Sequence, residues 1–324
     1  MRAYWIQIKN GQSLLEAGEA PMPVPSPEQL LIKVHAAALN RGEFIAGHGL
    51  TGDSKAARAG IEAAGEVVQC GDSAAGFETG ARVMGRVLGA YAEYALMDAR
   101  EAIPVPQALS WEQAAAVPIT FSVVHDMLIG QGRIAAGEWL LIAGVSSGVG
   151  VAALQAGKAL GAKVIGTSGS AQKLDRLKGL GLDVPIKSRA ADFSGAVLDA
   201  TANHGADLVV NTVGGTVFAE CVRSLAFQGR IAMVGYLDRV MHSEIDLAAL
   251  HARRLRIFGV SNKHRDAAGR SETTRGFIRD LLPAFADGRI RPLIDRVFRF
   301  DEVPEARRYM ESDAQTGKIV VRVI

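Results

Sequence analysis

Leu140-Leu141-Ile142-Ala143-Gly144-Val145-Ser146-Ser147-Gly148-Val149-Gly150-Val151-Ala152-Ala153-Leu154 is the stretch that decides how this chain folds. An aliphatic run stops at Gly144, small residues follow, and an alanine-rich helical pattern continues to about Leu160. The spacing is that of a strand, a tight turn and a helix. The free backbone N–H groups of the first helical turn then point outward, and the helix dipole favours a negative charge above them. Small residues let a diphosphate approach the backbone. The stretch therefore reads as a dinucleotide-binding turn, with Ser146, Ser147, Gly148, Val149 and Gly150 at the ligand. Of a G-x-G-x-x-G pattern over 145–150 only the last glycine stands, so an unliganded strand-to-helix turn also fits these residues. The next apolar run, Lys163-Val164-Ile165-Gly166-Thr167-Ser168, follows at βαβ spacing and favours the cofactor reading.

The alternation continues outward from this turn. Strand patterns at 139–144, 163–168, 184–187, 208–213, 230–235 and 255–260, with helical patterns between them, predict a doubly wound parallel sheet. The end of the second strand bears on the cofactor. An acid there would accept from a ribose 2′-hydroxyl, but the sequence runs Gly166-Thr167-Ser168-Gly169-Ser170-Ala171-Gln172-Lys173. Ser168 and Lys173 suit a 2′-phosphate and point to NADP(H). Their other reading is a helix cap and a solvated lysine. Asn211, Val213, Gly235 and Tyr236 stand at the ends of the fourth and fifth strands, where ligands sit in such sheets; singly, each is an ordinary turn residue.

Before this region the chain is β-rich. Short strand patterns at 3–8, 30–38, 61–68, 81–87 and 91–96 are punctuated by glycine and by Pro21, Pro23, Pro25 and Pro27, and an Asn10-Gly11 turn ends the first. Ser110-Trp111-Glu112-Gln113 has the form of a helix start. After 260 come a charged loop (Lys263, His264, Arg265, Asp266, Arg270), an amphipathic helix over about Thr273–Asp287, and strand-like segments at 297–300 and 318–324 that should return to the N-terminal domain. With 324 residues, 48% of them hydrophobic, and a net charge of +2, the chain has the bulk for two cores and no bias toward nucleic acid or a membrane surface. No apolar run reaches the length of a membrane span, and the N-terminus lacks the apolar core of a signal peptide. Two cysteines, Cys70 and Cys221, rule out a disulfide framework, fit a reducing cytoplasm and fall short of a tetrathiolate zinc site. No metal is expected.

Six ordered segments make the chain resemble the medium-chain dehydrogenase/reductase superfamily, in its zinc-free quinone oxidoreductase (zeta-crystallin-like) branch. They are Leu31-Ile32-Lys33-Val34-His35-Ala36-Ala37-Ala38-Leu39-Asn40, Gly60-Ile61-Glu62-Ala63-Ala64-Gly65-Glu66-Val67-Val68, Gly80-Ala81-Arg82-Val83, Tyr91-Ala92-Glu93-Tyr94, Ala114-Ala115-Ala116-Val117-Pro118 and Gly317-Lys318-Ile319-Val320. The resemblance implies an α/β protein: a β-rich, GroES-like catalytic domain of 1–117 and 261–324, and a Rossmann domain of 118–260 that binds NADPH. It also implies hydride transfer to a small-molecule quinone or activated enone, and a homodimer formed along the strand at 255–260. Ile61 stands where zinc-dependent members carry a ligand histidine.

Asn40 is the expected donor to the substrate oxygen, Arg41 a second donor if it points inward, and Glu43 a residue that orients Asn40 or caps a turn. Ser261 and Asn262 are expected at the nicotinamide carboxamide, and Ser188, with Lys187 and Arg189, in place of a tyrosine beside the adenosine phosphate. The chain departs from the family in several places. The family's Asn-x-x-Asp ends in Glu43, Phe44 and Gly47 replace a tyrosine and an arginine, and Ser122-Val123-Val124 replaces Leu-Thr-Ala. The loop bordering the family's substrate mouth reads Thr51-Gly52-Asp53-Ser54-Lys55-Ala56-Ala57-Arg58-Ala59. Other outcomes of the same sequence are an enoyl-thioester reductase, an alcohol or ketone oxidoreductase, and a non-catalytic NADPH-binding protein.

Overall fold

The computed structural model describes residues 1–10, 12–45, 56–262 and 264–324. Gly11, Gly47, the loop residues Thr51 to Lys55 and Lys263 lie outside the described residues. The chain divides into two compact units, Met1–Ser122 with Asn262–Ile324, and Val123–Ser261.

In the first unit, the alternating pattern of Gln29–Ala38 sends Leu30, Ile32 and Val34 into the core. This strand pairs antiparallel with Glu62–Cys70 on one side and with Tyr94–Pro104. Arg82–Leu88 bridges those two, so the four strands close on themselves and leave no edge between them. The last strand, Lys318–Arg322, pairs Val320 with Ala38 and Val321 with Ala37, and Ile294–Arg299 lies parallel to it at the margin. A separate sheet joins Arg2–Lys9 to Gln12–Glu19 and to the two-residue strand Ala57–Arg58.

Two expectations are corrected in this unit. The strand at 91–96 begins later and runs on as Tyr94–Pro104. The helix expected over Thr273–Asp287 begins at Ala267, because Asp266 caps it by accepting from the Gly269 N–H. It ends at Asp280, and a second helix, Leu282–Ala286, starts around Pro283, which has no N–H to continue the first. The start at Ser110 is observed as read: its hydroxyl accepts from the Gln113 N–H and the Gln113 side chain accepts from the Ser110 N–H.

The second unit is a six-stranded parallel sheet in the order Val184–Lys187, Lys163–Ser168, Trp139–Ala143, Ala206–Asn211, Leu225–Met233, Arg256–Gly259. All six strands expected from the alternation are present, and Leu140 to Ala143 are fully buried, as a sheet covered on both faces requires. The strand order reverses between Trp139–Ala143 and Ala206–Asn211. At such a reversal the connections leave in opposite directions and open a crevice at the strand ends.

Candidate functional site

The turn Gly144–Ser147 sits at that reversal. Ser147 is the N-cap of the helix Gly148–Ala159: its Oγ accepts from the Gly150 N–H at 3.0 Å and lies 2.9 Å from the Gly144 carbonyl, to which it donates. Gly144 has φ +80°, and a Cβ there would lie 2.5 Å from Thr212 Oγ1. A Cβ at Gly150 would lie 2.5 Å from the Gly144 carbonyl oxygen. The one glycine retained from the fingerprint is thus the one that lets the helix close on the strand. Thr212, which carries no mark in the sequence pattern, ties the neighbouring strand ends together by donating to the Ala143 carbonyl at 2.8 Å. Ser146, Ser147, Gly148 and Val149 remain half-buried at the mouth of the turn.

At the end of the second strand, Ser168 Oγ lies 3.3 Å from Ser146 Oγ and accepts from the Ser170 N–H. The helix Ala171–Lys178 is capped by Ser170, which accepts from the Lys173 N–H, so Ser168 is not the cap. Arg189 lies across Gly169, where a Cβ would meet its Cγ at 2.3 Å. That places a guanidinium beside Ser168 and on the strand end that selects between cofactors.

Three expectations change here. Ser188 donates within its own turn, to Ala190 O and Asp192, so its hydroxyl hydrogen is used locally. Asn211 is fully buried, and its amide holds the turn at Val213 and Gly214 together. The Val213 N–H and carbonyl are taken up by Asn211 and Asp238. These three positions hold their own turns at the strand ends. Gly235 and half-exposed Tyr236 follow the fifth strand, and Ser261 and Asn262 follow the sixth, with Asn262 accepting from the Arg265 N–H.

The first unit holds a second concentration of chemistry. Lys318 and Glu62 are buried and 2.7 Å apart, and Lys318 also donates to Asn40 Oδ1 at 2.9 Å and to the Leu39 carbonyl at 3.0 Å. Asn40 Nδ2 donates to both Glu62 and Glu43, at 2.8 and 3.1 Å. Glu43 Oε1 also accepts from the Asn40 N–H, and its other oxygen accepts from Tyr91. Glu62 accepts in turn from the Ile119 N–H, anchoring the first turn of the helix Pro118–His125. Burial, opposed by the Asn40 and Tyr91 bonds and by Lys318 and reinforced by the Glu62 charge, pushes the Glu43 carboxyl up to about 8. Burial and the Glu43 charge push the Tyr91 phenol up as well.

The network bears on Asn40, expected as the donor to a substrate oxygen. Both amide hydrogens are committed to carboxylates, and donating elsewhere would leave a buried carboxylate short of a bond. Arg41 points at the end of the helix Val303–Glu311, donating to Met310 O and pairing with Asp313, and is no inward donor. Glu62, Tyr91 and Lys318 were missed. For Glu62 and Lys318 the signal in the sequence is a charge that opens a run of small or apolar residues, Ala63-Ala64-Gly65 in one strand and Ile319-Val320-Val321 in the other.

Comparison with known proteins places these features in context. The family described as "Alcohol dehydrogenase GroES-like domain" matches residues 26–107, and "Zinc-binding dehydrogenase" matches 148–276. The chain is 30% identical over 301 residues to a phenolphthiocerol/phthiocerol polyketide synthase of Mycobacterium tuberculosis, covering 92% of this chain and 14% of that protein. The chain thus spans about a seventh of that relative's length. Human quinone oxidoreductase is 26% identical, over 99% of this chain and 97% of its own. A mycobacterial protein solved in complex with NADPH superimposes with a TM-score of 0.88 at 25% identity over the whole of both chains. Among the described residues no three His, Cys, Asp or Glu side chains are grouped to hold a metal ion. Glu62 is already neutralised by Lys318.

Proposed function

Since the chain belongs to the medium-chain dehydrogenase/reductase family, an oxidoreductase family with quinone oxidoreductases among its members, we propose that it is an NADPH-dependent reductase of quinones or activated enones that works without a metal. The observation that carries this reading is the capped, glycine-closed turn Gly144–Gly150 at the reversal of the parallel sheet, with Ser168 and Arg189 beside it. NADPH, when bound, supplies the hydride. Gly148 and Val149 present the helix N-terminus to the diphosphate. Ser168, Lys173 and Arg189 receive the 2′-phosphate, and Gly235, Tyr236, Ser261 and Asn262 line the remainder of the cofactor's path. The residues 118–260 form the cofactor domain, and 1–117 with 261–324 form the catalytic domain.

In the catalytic domain Asn40 and Glu43 act as positioning residues, holding the strand ends at Leu39, Glu62 and Lys318 in register. The proton that completes reduction comes from solvent. Among the described residues the strand Arg256–Gly259 pairs on one side only, and it exposes Ile257; this supports a homodimer that extends the sheet. The paucity of cysteine supports a reducing, cytoplasmic setting; no helix of the described residues is long and apolar enough to cross a membrane.

A second reading, reduction of an α,β-unsaturated thioester, is favoured by the 30% identity to a polyketide synthase. An acceptor panel separates the two. Purified protein with NADPH is offered a benzoquinone, a simple enone and crotonyl-pantetheine. The proposal expects the quinone or enone to be reduced with the higher kcat/KM. A clear preference for the thioester would replace it with the second reading. Cofactor binding without turnover of any acceptor would leave a non-catalytic NADPH-binding protein.

A further inference from the structure

His35 is half-buried near the end of the core strand Gln29–Ala38, and its Nε2 is sealed from solvent with no hydrogen-bond partner among the described residues. Its ring lies flat on Trp111, the first residue of the helix Trp111–Ala115, with centroids 4.3 Å apart and planes 9° from parallel. The Arg82 guanidinium sits 4.5 Å from the centroid of the same indole and donates to the Leu109 carbonyl just ahead of the helix. The strands that carry His35 and Arg82 flank Glu62–Cys70, so the indole is held by one side chain from each. The Val323 N–H donates to the His35 carbonyl and fixes its backbone.

A neutral imidazole carries one ring hydrogen and an imidazolium carries two. In the neutral ring the hydrogen can stand at Nδ1 and leave Nε2 bare. In the imidazolium Nε2 must carry a hydrogen, and here that donor would be buried without an acceptor, which is costly. The charged groups around the ring are Lys33 on its own strand, Glu66 on the next, Arg82 beyond it, and the pair Glu112 and Arg322 from the helix and the last strand. Tyr94 lies opposite Lys33. Burial first and Lys33 next, with Glu66 opposing and Arg82 adding, hold the ring below its ordinary 6.5. A proton at His35 also brings a second cation to an indole that already carries Arg82.

We propose that the stack of His35 on Trp111 is an acid-sensitive latch: the neutral imidazole fastens the helix Trp111–Ala115 to the strands beneath it, and protonation of the ring releases it. The inference goes beyond the reductase reading, since neither side chain has a part in holding cofactor or acceptor. A released ring takes its proton at the ordinary value and a latched ring takes it lower. The latch is therefore firmest above about pH 6.5 and weakens as the pH falls below it, until the latched ring is itself protonated. Each unit between the two values is about a tenfold change in the latch equilibrium. The helix leads through Ala116 and Val117 into Pro118–His125, whose Ile119 N–H is held by Glu62, so the latch bears on the segment by which the chain leaves the first unit.

Two measurements on the full chain test the latch. Labelling histidine Cε1 with carbon-13 gives one ring signal for each of the seven histidines, and His35→Gln identifies the signal of His35. In the wild type that signal should titrate with a midpoint below the ordinary value. Amide hydrogen exchange over residues 109–117, corrected for the intrinsic effect of pH, is then compared at about pH 7.5 and about pH 5. The wild type should exchange faster at the lower pH, by about tenfold for each unit by which the His35 midpoint is depressed. His35→Gln cannot take up the proton and should show no such rise. Where glutamine loosens the helix at every pH, His35→Phe keeps a ring on the indole without a titration and should also be flat. A His35 signal that titrates at or above the ordinary value overturns the proposal. So does exchange over 109–117 that does not respond to pH in the wild type, or that responds equally in the wild type and both variants.

Discussion

Replacing Glu43 with glutamine tests the buried network directly. Glu43 is sealed from solvent, and burial above all raises its carboxyl from the ordinary 4.5 to about 8. The charged and titratable groups that face it are Glu62 and Lys318, from two strands, and Tyr91. A raised value means that the folded protein keeps a proton that the unfolded chain has released. The group's contribution to stability is therefore full below the unfolded value and is lost as the pH rises through the folded one. Each unit of pKa difference is worth about 1.4 kcal/mol. Between about pH 5.5 and 7.5 the unfolded carboxyl is ionised and the folded one protonated, so this group alone should cost the wild type roughly 2–3 kcal/mol of stability across that interval. Glu43→Gln keeps the shape, accepts from Asn40 and cannot ionise. Histidines and other groups that titrate in the interval are common to both proteins and cancel in the difference. Urea denaturation at three pH values in this range should show Glu43→Gln gaining about 2–3 kcal/mol on the wild type from the lowest to the highest. Parallel stability curves, with a constant difference, would refute the assignment of the titration to Glu43.

Lys318→Met leaves Glu62 buried without its counter-ion and should cost about 3–5 kcal/mol, read as a fall in the urea midpoint at neutral pH. Gly150→Ala places a Cβ 2.5 Å from the Gly144 carbonyl oxygen, and should weaken NADPH binding by about tenfold or more in fluorescence titration while the β-rich unit keeps its structure. Lys173→Ala should weaken NADPH binding several-fold and leave NADH binding unchanged; equal losses for both would remove the 2′-phosphate role.

The parallel sheet was the most legible part of the fold, because strands buried on both faces read as unbroken apolar runs, as in Leu140 to Ala143. The turn at 144–150 was legible too, since Gly144 and Gly150 are forced by close backbone approach. What was not legible depended on pairing between distant segments. Nothing near Asn40 in sequence announces that Glu62 and Lys318 will occupy its amide, and the pattern Asn40-Arg41-Gly42-Glu43 taken alone left its donors free for substrate. Ser188 and Asn211 illustrate a related effect: their short polar side chains at strand ends bond within their own turns. The helix start at Asp266 was hidden because a capping aspartate within a run of charges looks like the rest of the run.

The central claim is that the chain moves hydride from NADPH to an acceptor carbon with no metal. The most direct measurement uses NADPH carrying deuterium at C4, each face labelled in turn, with an enone acceptor, whose product keeps the transferred hydride on carbon, a strong chelator, and mass analysis of the product. The account predicts one carbon-bound deuterium per turnover from one of the two labelled cofactors, at a rate the chelator does not change. NADPH oxidation that puts no deuterium on carbon from either face, or activity that the chelator abolishes and zinc restores, would contradict it.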